Sequence, residues 1–342
     1  MGLVRALFSL IFLVAILGAG AAAGGWLWLT NEIQKDGPLT ADTVVTVSPG
    51  EGLYTVASRL ESDGVISNGY AMRLAGRLQG LTTEIKTGEF EIAAGSSVQT
   101  VLDTLVDGKV ILHRLTIPEG RTTAQALRLI EASEFLRGDM PTETIPEGAL
   151  LPDTYLFARG TTRTAIVEKM RRAQDTLLDE LWPERQDGLP IKTREEAIIL
   201  ASIVEKETGD PAERPEIAGL FTNRLNRGMP LQSDPTIIYG ITKGEPLYNS
   251  KGERRTLYRS EIDRKTDWNT YQIPALPITP ICNPGRDAIA AVLNPPETEY
   301  IFFVADGTGR HLFAKTLAEH NRNVAAYRRY ERAEIARERN SP

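Results

Sequence analysis

From Ala6 to Leu29 every side chain is apolar or small except the hydroxyl of Ser9. At a rise of about 1.5 Å per residue, a helix of that length crosses the hydrocarbon core of a bilayer. Trp26 and Trp28 stand at its far end, where indole rings favour the headgroup layer, and Thr30-Asn31-Glu32 begins a polar exit. The small-residue run Gly18 to Gly25 offers an alternative, a cleaved signal peptide. Signal peptides carry a shorter apolar region, about 7–15 residues, so the segment reads as an uncleaved anchor. The expected layout is a short N-terminus at residues 1–5, a transmembrane helix at 6–29 and a linker at 30–42. Arg5 precedes the span, whereas Lys35 follows it beside Glu32 and Asp36, which points to a cytoplasmic N-terminus and an exported body.

The remainder has the composition of a folded protein. With 45 acidic against 39 basic residues the net charge is -6, which excludes a general affinity for nucleic acid. The single cysteine, Cys282, has no disulfide partner in the chain, and His113, His311 and His320 lack metal-ligand spacing. Phosphate-cradling glycine loops and nucleophile elbows are missing, so neither a metal nor a cofactor is expected.

Beyond the linker the patterns predict an α+β protein in two parts. In residues 43–112, strands at Thr43 to Val47, Gly88 to Ile92 and Lys109 to Thr116 alternate with helices from Leu53, over Ala71 to Leu78, and between Ser96-Ser97 and Asp107-Gly108. Their β-α-α-β order is that of glycan-binding LysM modules. Residues 113–332 form a larger, mainly helical domain, and residues 333–342 a polar tail. Thr193 and Glu196 have capping-box spacing and open a helix that runs to Glu205, before Gly209 and Pro211. Another helix is expected over Ala212 to Asn226, with Asp234-Pro235 as N-cap and first turn of the next. A β-hairpin turns at Asp306-Gly307-Thr308-Gly309, and Thr316 with Glu319 caps the last helix.

One carboxylate stands out. In Ala201-Ser202-Ile203-Val204-Glu205-Lys206-Glu207-Thr208 an acidic residue ends an apolar run. Desolvation and the negative end of the helix dipole both push Glu205 toward its protonated form, which makes it a candidate general acid. The structural alternative is that Glu205 to Glu207 form the solvated last turn of a core helix, and Glu207 serves the chemical argument almost equally well. Amides, hydroxyls and aromatic rings suited to a polyhydroxylated ligand occur downstream at Asn223, Gln232, Ser233, Asp234, Tyr239, Asn269 and Tyr271. Cys282 reads as buried and inert.

These residues resemble the YceG-like endolytic murein transglycosylases. The resemblance rests on Ala201 to Thr208, on Phe221-Thr222-Asn223-Arg224-Leu225, and on Leu231-Gln232-Ser233-Asp234-Pro235-Thr236 with Ile238-Tyr239-Gly240. Ile117-Pro118-Glu119-Gly120, Leu151-Pro152-Asp153-Thr154-Tyr155, Asn269-Thr270-Tyr271, Asn283-Pro284-Gly285 and Phe303 to Gly307 support it. It implies a single-pass protein of the bacterial inner membrane whose periplasmic domain cleaves peptidoglycan glycan strands internally, beside the peptidoglycan synthases. It also implies that the first glutamate of Glu-Lys-Glu-Thr, here Glu205, is catalytic. Cleavage of the MurNAc-GlcNAc β-1,4 bond with a 1,6-anhydro-MurNAc end is then expected, and a hydrolytic muramidase or a non-catalytic murein-binding scaffold are the alternatives. One departure is Ala275-Leu276-Pro277-Ile278-Thr279-Pro280-Ile281, where the family commonly carries two glycines.

Overall fold

The computed structural model describes residues 2–340. Met1 and residues 341–342, the extremities of the expected N-terminus and polar tail, lie outside the described residues. The chain divides into two compact units, one built from residues through Arg114 with Phe135–Arg137 and Leu156–Thr161, the other from the rest.

In the first unit, helix α1 spans Gly2–Gln34, and strand β1 (Thr43–Val47) pairs antiparallel with β2 (Gly88–Ile92), Thr43 opposite Ile92 and Val47 opposite Gly88. Helices α2 (Leu53–Ser62) and α3 (Gly69–Leu78) connect these strands, and α4 (Val98–Asp107) follows, ahead of strand β3 (Leu112–Thr116). Apolar residues at helical spacing bury one stripe of each helix against Val45, Val47, Phe90 and Ile92 of the sheet. The Asn68 side chain caps α3 and the Ser97 side chain caps α4, each accepting from the backbone N–H three residues on. Helices α2 and α3 cross closely at Gly76, where a Cβ would stand 2.2 Å from Leu53 Cδ2 and would displace that buried side chain.

The anchor departs from expectation. The assigned linker, residues 30–42, is helical through Gln34, and Leu29 and Ile33 are buried in the core of this unit. Turning two apolar side chains into that core gains more than ending the helix at the polar exit.

The second unit contains α5 (Thr123–Glu131), α6 (Arg163–Leu181), α7 (Arg194–Glu207), α8 (Arg214–Asn226), α9 (Asp234–Thr242), α10 (Arg259–Ile262), α11 (Arg286–Leu293) and α12 (Leu317–Asn340). Strand β4 (Thr154–Ala158), whose residues from Leu156 on belong to the first unit, pairs with β3, whose residues from Leu115 on belong to the second. In the second unit β5 (Phe302–Ala305) pairs with β6 (His311–Ala314) in the expected hairpin, Phe302 opposite Ala314. Strand β4 is not among the expected elements, and it buries Tyr155 and Phe157 while Leu156 is exposed.

Helix α7 is the axis of this unit. Its capping box at Thr193 and Glu196 forms as expected, and Ala197 through Glu205 are all buried, with α8 and α11 packed against the helix. Two boundaries are corrected. A 3₁₀ turn over Pro211–Glu213 precedes α8, so the helix expected from Ala212 begins at Arg214. Ser233, not Asp234, is the N-cap of α9, which places Asp234 and Pro235 both in its first turn.

Candidate active site

The last turn of α7 delivers Glu205 into a charged knot. Its Oε1 accepts a hydrogen bond from Arg214 Nη2 at 2.8 Å, and its Oε2 accepts from the backbone N–H of Gly285 at 3.0 Å. The same Arg214 Nη2 donates to Glu119 Oε2 at 2.8 Å, and Asp287 lies 3.7 Å from Nη1. Only 4% of the Glu205 side chain and 8% of that of Arg214 are exposed, whereas 40% of Glu119 is, so the knot opens to solvent on the Glu119 side.

Glycine builds the walls. Gly120, at φ +72°, lies with its Cα against Glu205 and Lys206, so that a Cβ there would stand 3.6 Å from Glu205 Cγ. At Gly285 a Cβ would fall 1.8 Å from Glu119 Oε1, so the Glu119 carboxylate rests on the glycine that donates to Glu205. The two turns are tied together, with Gly120 N donating to Asn283 O and Asn283 N to Arg121 O. Asn283, fully buried, accepts from Leu150 N and donates to Arg121 O through its side chain.

Burial raises the Glu205 carboxyl above the ordinary carboxylate range, and the Glu119 charge adds to this. The Gly285 N–H and Arg214 act in the opposite sense, while Gly285 as N-cap of α11 places the carboxylate at the positive end of that helix. The group is therefore biased to hold a proton, and its ionised form still has a cation and an amide to receive it. Such a carboxyl can release a proton to a reacting oxygen and take one back.

A cleft of about 450 Å³ opens at Lys206, the residue after Glu205, and Asp234, Tyr239, Arg254 and Ile281 are among the others that line it. Tyr239 donates to Glu147 Oε2 at 3.1 Å, and Thr123 N donates to Glu147 Oε1 at 2.6 Å. Burial raises the Glu147 carboxyl as well.

The expected ligand residues separate into groups. Asp234 and Tyr239 line the cleft, and Tyr271 donates to Asp234 Oδ1 at 2.8 Å. Gln232, held at φ +55°, accepts from Arg224, and fully buried Ser233 donates from its backbone to Thr270. Asn223 lines a separate cleft beside Pro295 and Pro296, and Asn269 is buried in the scaffold. The Asn223 amide donates to Thr298 O and Tyr300 O, and the buried Asn269 amide to Ile262 O and Arg264 O. Cys282 is fully buried with its thiol pushed up by burial, and Sγ donates to Ser202 O. The segment 275–281, which lacks the family's glycines, contains no positive-φ residue and therefore does not need them. It is held by Trp268 Nε1 donating to Thr279 and Ile281 N donating to Ser202 Oγ.

Arg214 was missed as a site residue. Its signal was an anomaly, a cation in the first turn of a helix, where the macrodipole disfavours one. Glu119 and Gly285 sat in noted motifs without a role, and Glu147 was not noted at all.

The YceG-like family model matches residues 45–326. An endolytic murein transglycosylase of Streptococcus pneumoniae serotype 2 is 28% identical over 93% of this chain, which spans 64% of that relative's length. One from Bacillus subtilis is 26% identical over 87% of this chain and 88% of its own length. A solved yceG-like protein from Listeria monocytogenes is 25% identical, with a TM-score of 0.47 over 82% of this chain and 98% of that one. The family match runs from within β1 through the hairpin and includes the whole Glu205 site, and the chain belongs to the YceG-like family.

Proposed function

We propose that this protein is an endolytic murein transglycosylase anchored by α1, and that Glu205 is its catalytic acid and base. The observation that carries the reading is the Glu205 environment, a buried carboxyl biased toward its acid form yet provided with Arg214 and the Gly285 N–H for its anion. The names of the relatives support it.

In the proposed reaction Glu205 protonates the oxygen of the MurNAc-GlcNAc β-1,4 bond. The carboxylate, held by Arg214 and Gly285, then removes the proton from the MurNAc C6 hydroxyl, which attacks C1 of its own ring. The bond to the leaving sugar breaks, a 1,6-anhydro-MurNAc end forms, and no water is consumed. Asp234 and Tyr239 line the cleft at Lys206 and Tyr271 bonds Asp234, which supports a role for them in orienting sugar hydroxyls. Gln232 and Ser233 belong to the turn that presents Asp234, while Asn223 and Asn269 hold the surrounding loops.

The β-α-α-β order of the first unit, its strands paired antiparallel, fits the LysM-like glycan-binding reading. Arg5 ahead of the span fits a cytoplasmic N-terminus with both units on the periplasmic side of the inner membrane. There the enzyme would meet nascent strands beside the peptidoglycan synthases and release or terminate them.

A second reading, hydrolysis, has one observation in its favour. Glu207 lies beside Asp234, and a carboxyl pair can activate water. Mass spectrometry of uncrosslinked glycan strands separates the two. Internal fragments with anhydro ends, formed by wild type and not by Glu205→Gln, support transglycosylation. Products one water heavier that persist in Glu205→Gln support hydrolysis, and intact strands bound by both proteins support a scaffold.

A further inference from the structure

The junction between anchor and first unit has no free joint. Leu29 and Ile33, 4% and 8% exposed, are buried with α3 and α4 packed against α1. The segment that follows is fastened too, Gly37 N donating to Gly95 O at 3.1 Å and Gly95 N to Leu39 O at 2.9 Å. At Gly37 a Cβ would stand 2.1 Å from Ser96 O, so no larger residue fits. With residues 6–29 read as the span, on which this inference rests, the depth of a residue near α1 is set by its distance from the span's end.

Tyr70 is such a residue. It opens α3, is 59% exposed, and its ring centroid stands 6.4 Å from that of Trp28. Arg73 and Arg77 follow it at helical spacing, Leu78 is also exposed, and α3 contains no acidic residue. Glu32, the acidic group nearest in sequence to the span's end, is already held by Lys35 at 2.7 Å and by Asn68 at 3.2 Å. An exposed aromatic ring, two arginines and an exposed leucine on a helix fixed to the end of a membrane span are the chemistry of the bilayer interface. The ring favours the headgroup layer, and guanidinium groups bind phosphate.

We propose that the face of α3 carrying Tyr70, Arg73 and Arg77 is seated in the phospholipid headgroup layer, so that the first unit rests on the membrane instead of swinging from it. The ligand class is the headgroup phosphate of the bilayer that α1 crosses.

The test uses the full chain in vesicles of phosphatidylethanolamine and phosphatidylglycerol, with nitroxide labels introduced at Trp26→Cys or Tyr70→Cys. Cys282 is fully buried and stays unlabelled in the folded chain. Collision rates with oxygen and with a water-soluble nickel complex report depth. Expected are a Trp26→Cys label within the bilayer and a Tyr70→Cys label at headgroup depth, shielded from nickel, that moves toward water when Arg73→Glu and Arg77→Glu are added. A Tyr70→Cys label fully open to nickel, beside a Trp26→Cys label still in the bilayer, overturns the docking and leaves the anchor in place. A Trp26→Cys label open to nickel removes the span and the inference with it.

Discussion

Glu205 and Glu207 stand two residues apart at the end of α7, and they differ in what bonds them directly. Burial raises both carboxyls, Glu207 to about 7. Around Glu205 the protein supplies groups that hold an anion, the Arg214 guanidinium and the Gly285 N–H. Around Glu207 the Ser233 side chain and the Arg224 charge lower the carboxyl while the Asp234 charge raises it, and Oε1 has no hydrogen-bond partner. Burial is the largest influence on both groups. An acid that must return as a base in the same turnover also needs a place for its charge, and direct hydrogen bonds from Arg214 and Gly285 give Glu205 one.

The sharpest way to break this comparison is to remove each proton in turn. Glu205→Gln should lower cleavage by about a thousandfold, within the range for loss of a general acid and base. Glu207→Gln should stay within a few-fold of wild type in the same glycan assay. If Glu207→Gln is the dead variant, the chemistry belongs to the Asp234 side of the helix.

Next in size is Arg214. Its replacement by Gln strands a buried carboxylate, and breaking such a pair costs about 3–5 kcal/mol, readable as an earlier midpoint in denaturant unfolding. Arg214→Lys retains the charge but not the rigid guanidinium plane that aims Nη2 at both Glu119 and Glu205, so it should recover stability better than activity. Equal stability of wild type and Arg214→Gln would show that the knot contributes nothing to the fold.

Glu119→Gln acts through the field. The Glu119 charge raises the Glu205 carboxyl, and removing it frees Arg214 to serve Glu205 alone, so the carboxyl falls. Activity that requires protonated Glu205 should then lose its alkaline limb at lower pH than wild type does. An unmoved profile would show that Glu119 holds Arg214 in place without tuning its partner.

How much of this was legible follows from range. Helix α7 and its capping box rest on contacts within four residues, and the sequence carries them openly. Strands β1 and β2 are legible one by one from local composition and bounding turns, whereas their pairing joins residues more than forty positions apart. The knot was not legible, because Glu119, Arg214 and Gly285 come together from distant positions, and Arg214 read simply as a helix residue. Asn223 and Asn269 were legible by type and not by bonding. Their residue type suits a sugar, but their amides donate to backbone carbonyls, and nothing local announces that.

The smallest effect on catalysis is expected at Glu207, and its signature is in stability. Its carboxyl lies at about 7 in the folded chain against an ordinary value of 4.5, so the folded state retains a proton that the unfolded chain releases. The stabilisation this provides is complete below pH 4.5 and is lost as pH rises through 7, at a rate of up to about 1.4 kcal/mol per pH unit. Glu207→Gln has no proton to lose. Its melting temperature, measured from pH 4 to pH 8, should fall less steeply over that window than that of wild type, so the variant gains on wild type toward neutral pH. Parallel curves would place Glu207 in water, like the solvated last turn of an ordinary core helix, and leave Glu205 as the desolvated carboxyl at this end of α7.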